Sequence, residues 1–226
     1  HLVGYDVDVA HTLAGDLGVT LEFVPFDPTE LSRQLADDHF DIVMSGLVGT
    51  VERASTMMHT SPYLDVSLAL VVPDHRSRQF KSPSSIESMP SLKIGFVDLS
   101  AGFVDRLHQD FPNLTLVKLE TADQYFSDRS DPLDGLLVSA ESGSAFTLLY
   151  PQYEVVVPDM NWGKLPLVYA VGAGDFELRD FLEHWIDLKK DDGTMTSFFD
   201  HWILGRNATT NGPRWSVIRD VLHWVN

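Results

Sequence analysis

Apolar residues recur at two periods along this chain, and the two periods alternate. Val7, Ala10, Leu13, Ala14 and Leu17 share a face at helical spacing, so a helix is expected that Asp6 caps and Gly18 ends. Val19, Leu21 and Phe23 then alternate with their neighbours, which predicts a strand. Asp27 and Glu30 have capping-box spacing around Pro28, and Leu31 and Leu35 carry a helix toward an apolar strand over 41–45. Strand, helix and strand in that order predict a right-handed crossover. Gly46 and Gly49 loosen the backbone after it, Thr50 can cap a helix from Val51, and residues 68–73 read as the next strand.

A polar interval over 74–90, rich in Ser, Arg and Pro, separates this unit from a second alternating series and marks a passage between lobes. Strands are expected at 92–96, 114–117, 136–138 and 153–157. Between them lie a helix bearing Phe103, Leu107 and Phe111, one that Thr121 and Gln124 cap, and one over 141–149. A return strand at 165–171 leads into a helix over 176–190 with Phe181, Leu182, Trp185 and Leu188 on one face and Gly193 at its end. After a polar loop at 207–213, Trp215, Ile218, Leu222 and Val225 form an apolar stripe that packs on the domain, meets a partner, or leads toward a membrane segment. Alternation of this kind favours α/β architecture.

Charge narrows the partners. Sixteen Lys and Arg against 33 Asp and Glu leave a net charge of −17, which opposes nucleic acid or anionic membrane binding through bulk charge. A small anion in a local basic site remains open, because screening over about 8 Å isolates a cleft from distant acids. Cysteine is absent, so disulfides and thiolate metal sites are excluded. No apolar run approaches about 20 residues. No signal peptide is visible, and from the patterned start at His1 a fragment cut from something longer is expected.

Several chemistries lack their motifs: there is no GxSxG elbow, HExxH helix or GxxxxGK[ST] loop. Gly172-Ala173-Gly174 lacks the third glycine of a dinucleotide loop and reads as a turn. Asp6 and Asp8 serve either a cation or, more simply, a helix start, and His11, His39, His59, His75 and His108 show no ligand spacing. Arg53 is the exception to bland readings. At about the third position of its helix, a cation opposes the macrodipole by about 0.3 to 1 kcal/mol. Either an acid such as Glu52 pairs with it, or an anionic ligand uses the guanidinium together with the helix N–H groups. Two further strand ends carry polar helix starts, at Ser100-Ala101-Gly102 and at Glu141-Ser142-Gly143-Ser144, where α/β sheets place ligands.

Together these stretches resemble the extracytoplasmic solute-binding proteins of the amino-acid type (family 3), the two-lobed Venus flytrap group with the periplasmic binding protein type II fold. The matching residues are Gly4-Tyr5-Asp6-Val7-Asp8-Val9-Ala10, the segment from Asp41 to Arg53, Ser61-Pro62-Tyr63-Leu64-Asp65 and Lys189-Lys190-Asp191-Asp192-Gly193-Thr194 before His201-Trp202. Residues 141–151 and the tail look similar to solute-binding domains attached to dicarboxylate or amino-acid symporters. The resemblance implies lobe 1 from 1–72 and 166–206, lobe 2 from 73–165, a tail at 207–226, a mostly parallel sheet in each lobe, and hinge strands at 68–72 and 165–171. Ligand would lie between the lobes. Arg53 would grip its α-carboxylate and Gly46 would offer a carbonyl to its ammonium. Ser45, Leu47, Val48, Ser100, Ala101, Gly102, Ser139 and Glu141 would complete the site. Val48 stands where the family usually has a hydroxyl, and Ser139 stands where it has an aspartate, with Glu141 two residues on. The family's first strand, with its site-lining aromatic residue, is expected ahead of His1, so lobe 1 is expected to lack a strand.

The function so implied is capture of a small carboxylate, an amino acid above all, for transport outside the cytoplasm. Its partner would be a membrane transporter, an ABC permease or a fused symporter, and the chain a monomer. No catalytic residue, metal or cofactor is expected. Two alternatives stand beside it: a dehydratase of prephenate-like acids using Glu141, and a sensing domain fused to a membrane protein.

Overall fold

The computed structural model describes residues 2–97, 99–127, 131–159 and 164–204. They form two compact units, one from the described residues up to Leu64 together with those from Pro166 onward, the other Asp65–Leu165. The passage into the second unit precedes the polar interval, because β3 (Leu64–Pro73) already belongs to that unit's ladder from Leu68. The interval itself folds as a 3-10 helix, Asp74–Phe80, and α4 (Pro83–Glu87), which Ser82 caps. The stripe at Trp215, Ile218, Leu222 and Val225 lies outside the described residues.

In the first unit, α1 (Tyr5–Leu17) ends on Gly18 in the left-handed conformation, φ 67°, as the periodicity predicts. Its start differs. Gly4 is the N-cap and no side chain caps the helix, which places Asp6 inside the first turn. The buried face is Val9, Ala10, Leu13 and Ala14, whereas Leu17 is exposed. Residues 19–24 form no strand, and Val19, Phe23 and Val24 stay exposed, because a strand exists only through the ladder it joins and no described strand lies alongside. The expected crossover is therefore not formed among the described residues. α2 (Leu31–Ala36) starts without a side-chain cap; Asp27 instead closes a turn onto Thr29, and the Gln34 side chain accepts the Asp27 N–H at 2.9 Å.

β1 (Ile42–Val48) and β2 (Met58–His59) both pair antiparallel with β8 (Lys164–Val171). Leu31, Leu35, Val43, Leu47, Met57, Val168 and Ala170 make one core cluster beneath them. Each such apolar side chain contributes about 1.5 to 3 kcal/mol by leaving water. α8 (Phe176–Asp191) and α9 (Thr194–Trp202) complete the unit. On α8 the buried stripe is Leu182, Trp185 and Ile186; Phe181 and Leu188 face solvent, so the apolar arc lies one residue round from the expected one. The indole N–H groups of Trp185 and Trp202 donate to Asp16 at 2.8 Å and Asp8 at 2.7 Å, tying α8 and α9 to α1.

The second unit orders its strands β7–β3–β6–β4–β5, with β4 (Leu92–Phe96), β5 (Leu114–Lys118), β6 (Gly135–Ser139) and β7 (Tyr153–Val156). β4 runs parallel to β5 and β6, while β3 runs antiparallel to β6 and β7. Parallel pairing is thus confined, among the described strands, to β4 with β5 and β6, whose connections carry α5 (Ala101–Asp110) and α6 (Asp123–Phe126), whereas α7 (Ala140–Leu149) leads to the antiparallel β7; in the first unit, where a mostly parallel sheet is also expected, the described ladders are antiparallel instead. α6 lacks the cap expected from Thr121; Ala122 occupies the cap position, and the Gln124 side chain accepts from the Glu120 N–H instead.

Candidate functional site

Arg53 sits where the sequence puts it, third in α3 (Val51–Ala54), and Thr50 caps that short helix by accepting the Arg53 N–H at 3.3 Å. Its guanidinium turns back out of the helix and donates to the Val48 carbonyl at 2.9 Å. The charge is thereby drawn toward the end of β1, just ahead of the helix start. Burial, then the nearby Arg53 charge, holds the His59 imidazole below its usual range, so His59 adds no competing cation near neutral pH.

β1 is irregular at this point. Its register against β8 shifts between Val43 and Leu47, and Gly46 within that interval has φ 67°. The Leu47 side chain belongs to the core cluster and Val48 is buried, whereas Ser45 is exposed. Gly49 donates its N–H to the Pro166 carbonyl at 2.9 Å, and an added Cβ there would stand 3.0 Å from Val168, which fixes the approach of the loop to β8. A cavity of about 220 Å³ in this unit has Ser32, Glu52, Arg53 and Thr56 on its wall. Another, of about 530 Å³ in the second unit, is lined by Arg76, Arg78 and their neighbours and by none of the candidate residues.

In the second unit, Ser100 caps α5 by accepting the Phe103 N–H at 3.3 Å, and Ser139 caps α7 by accepting the Ser142 N–H at 3.1 Å. These helices follow β4 and β6, neighbouring parallel strands, so both caps stand at the same carboxyl edge of the sheet. Ala101 and Gly102 are exposed in the first turn of α5. Glu141 is not the cap. Its carboxyl lies beside Ser139, whose hydroxyl donates to Ser142 Oγ at 3.1 Å, and its Oε2 is buried with no hydrogen-bond partner. Gly143 lets α7 approach this closely, since an added Cβ would meet Val155 and Val71 at 3.1 Å.

Burial is the main influence on Glu141 and raises its carboxyl above the usual range. A raised folded pKa means the stability it contributes is full below the unfolded value, about 4.3, and is lost as pH rises through the folded one. Glu141→Gln is therefore expected to gain stability relative to wild type at about pH 7 and none at about pH 4. Urea denaturation at the two pH values measures this, and an equal effect at both would contradict it.

Sequence reading missed the group beside Gly46. Asp6 and Asp8 were open to a cation or a helix start; both stand in the first turn of α1, where they complement its dipole without capping it, and each also reaches outward, Asp8 accepting from Trp202 and Asp6 from Tyr169, with Tyr63 and the Gly46 amide beside it. Tyr5, Tyr63 and Tyr169 stack in a row, with centroids 6.0 and 4.0 Å apart. No local signal could reveal this, because the four side chains come from three separate stretches of the chain. Among the described residues no group of three metal-ligating side chains occurs, and no helix is long and apolar enough to cross a membrane.

The family model for bacterial extracellular solute-binding proteins, family 3, matches residues 1–205. The chain belongs to that family. This solute-binding protein is 25% identical over 210 residues to the putative ABC transporter arginine-binding protein 2 of Escherichia coli, covering 89% of the chain and 82% of the relative. It is also 23% identical over 213 residues to cyclohexadienyl dehydratase of Pseudomonas aeruginosa, covering 92% of the chain and 77% of the enzyme. Among solved structures it is similar to an ancestral arginine-binding protein bound to arginine, with TM-score 0.68, 25% identity, and coverage of 89% and 88%. The two-lobed α/β fold and the solute-binding class expected from the sequence therefore stand.

Proposed function

We propose that this solute-binding protein captures an α-amino acid outside the cytoplasm, as a monomer without catalysis, and hands it to a membrane permease. The observation that carries this reading is the Arg53 guanidinium drawn onto the Val48 carbonyl, beside a Thr50-capped helix start and the Gly46 kink. A forked cation at a helix start is suited to a carboxylate, with backbone carbonyls for an ammonium. In this reading Ser45, Gly46, Leu47 and Val48 supply those backbone contacts, and Ser100, Ala101, Gly102, Ser139 and Glu141 supply the second unit's share.

A cationic side chain on the ligand is favoured over a neutral one. Glu141 has an oxygen in want of a donor, and a net charge of −17 raises the local concentration of cations. The arginine-binding relatives support the same choice. L-arginine at 100 times its Kd is expected to stabilise the protein by about 2.7 kcal/mol, whereas succinate at the same concentration is expected to do nothing. Thermal unfolding with each ligand tests this, and a shift with succinate alone would reverse the assignment.

The buried, half-partnered Glu141 carboxyl also suits a general acid, and this favours a dehydratase as the second reading. Incubation with prephenate separates the two. Loss of the cyclohexadiene with release of water and carbon dioxide would establish the enzyme; an unchanged substrate leaves the binding protein.

A further inference from the structure

The Asp6 carboxylate is surrounded by donors from three other stretches. Tyr169, on β8, donates to Oδ1 at 3.1 Å, while the Tyr63 hydroxyl, just ahead of β3, and the Gly46 amide, on β1, stand beside the same carboxylate and favour its ionised form. The tyrosines are themselves fixed. Tyr169 is fully buried, Tyr63 is buried, and their rings stack at 4.0 Å with an interplanar angle of 19°. Tyr169 therefore anchors Asp6 from a fully buried position.

Gly46 requires that support for a reason of conformation rather than space. An added Cβ would meet nothing nearer than Asp6 Oδ2 at 4.0 Å, so crowding does not select glycine here. What does is φ 67°, the left-handed region, at the point where β1 loses register with β8. A bulge interrupts the ladder and leaves a backbone group to be satisfied elsewhere. The Asp6 carboxylate stands beside that group, and the Gly46 amide favours its ionised form.

Burial is the largest influence on the Asp6 carboxyl and raises it above the usual range, against three hydrogen bonds that lower it. An ionised carboxylate at this place works against stability, so a gain in stability does not account for it. We propose that Asp6 is a positioning residue for ligand binding: held by Tyr63 and Tyr169, it locks the Gly46 amide and thereby sets the backbone of Ser45–Val48 that Arg53 grips from the other side. The inference rests on the reading of that segment as the ligand seat.

Two measurements on Asp6→Ala and Asp6→Asn test it. In Asp6→Ala, exchange of the Gly46 amide, followed by NMR, is expected to accelerate at least tenfold more than exchange at Leu13 and Leu182 in the core, and calorimetry with L-arginine to show at least tenfold weaker binding. Asp6→Asn is expected to recover most of both, since its carbonyl can accept the Gly46 N–H and its NH2 can donate to a phenol oxygen. Unchanged Gly46 exchange in folded Asp6→Ala would overturn the proposal, as would accelerated exchange with unchanged arginine affinity. Should Asp6→Ala not fold, Tyr169→Phe removes one donor and keeps the ring stack; Gly46 exchange must then accelerate in the same direction, and no acceleration overturns the proposal. A wild-type protein that ignores arginine refutes the ligand reading alone, and the exchange arm still decides the role of Asp6.

Discussion

Arg53→Ala is expected to weaken L-arginine binding by about 100-fold or more, or about 3 kcal/mol, while the protein stays folded. Removing the guanidinium leaves the ligand carboxylate without its charged partner and the Val48 carbonyl without its donor. The fold has little at stake. α3 keeps its Thr50 cap, which uses the Arg53 backbone N–H and no side-chain atom of Arg53. Loss of a cation from a first turn even relieves the macrodipole by about 0.3 to 1 kcal/mol. Arg53→Lys is expected to recover only part of the affinity, because an ammonium is a point charge where a carboxylate is held by a fork. Calorimetry measures affinity and urea denaturation measures stability. Unchanged affinity in folded Arg53→Ala would remove Arg53 from the site.

Tyr169→Ala should show the opposite division, a large loss of stability. The side chain is completely buried, stacks on Tyr63 and donates to Asp6. Deleting a buried aromatic ring costs about 3 to 5 kcal/mol in lost transfer energy and residual cavity. The Asp6 carboxylate, already burdened by burial, would also lose a donor. Urea denaturation followed by circular dichroism is expected to show the midpoint fall, and a change below about 1 kcal/mol would mean the first unit repacks around the space. Tyr169→Phe keeps the ring, so it should retain most of that stability and isolate the hydroxyl.

The readable parts of the fold are those with a strong local signal. Gly18 ends α1, Thr50 caps α3, and the apolar runs of β3, β4, β6 and β8 lie close to their expected places. Failures cluster where a neighbour decides. Val19, Leu21 and Phe23 alternate as a strand should, yet they form none, since alternation prepares a face but cannot supply a ladder. Phe181 and Leu188 look like core on a helical wheel, but the direction from which α1 and α9 approach α8 selects Leu182, Trp185 and Ile186. Asp6, Asp8, Thr121 and Glu141 each have a capping residue's chemistry at a capping residue's spacing. In each case a different residue takes the cap or the helix goes without one, because side chains that can reach several donors follow tertiary geometry.

By itself the sequence determined the α/β alternation, the family through its ordered motifs, and Arg53 as the residue at odds with its own helix, because all three are recorded in local period and spacing. Only the tertiary structure decided that the Arg53 charge turns onto Val48, that Ser100 and Ser139 open helices at one sheet edge, and that Asp6 stands among Gly46 and two tyrosines. The reason is physical. Hydrophobic period and capping act over a few residues, whereas a buried carboxylate takes its donors from whichever segments packing brings within about 3 Å.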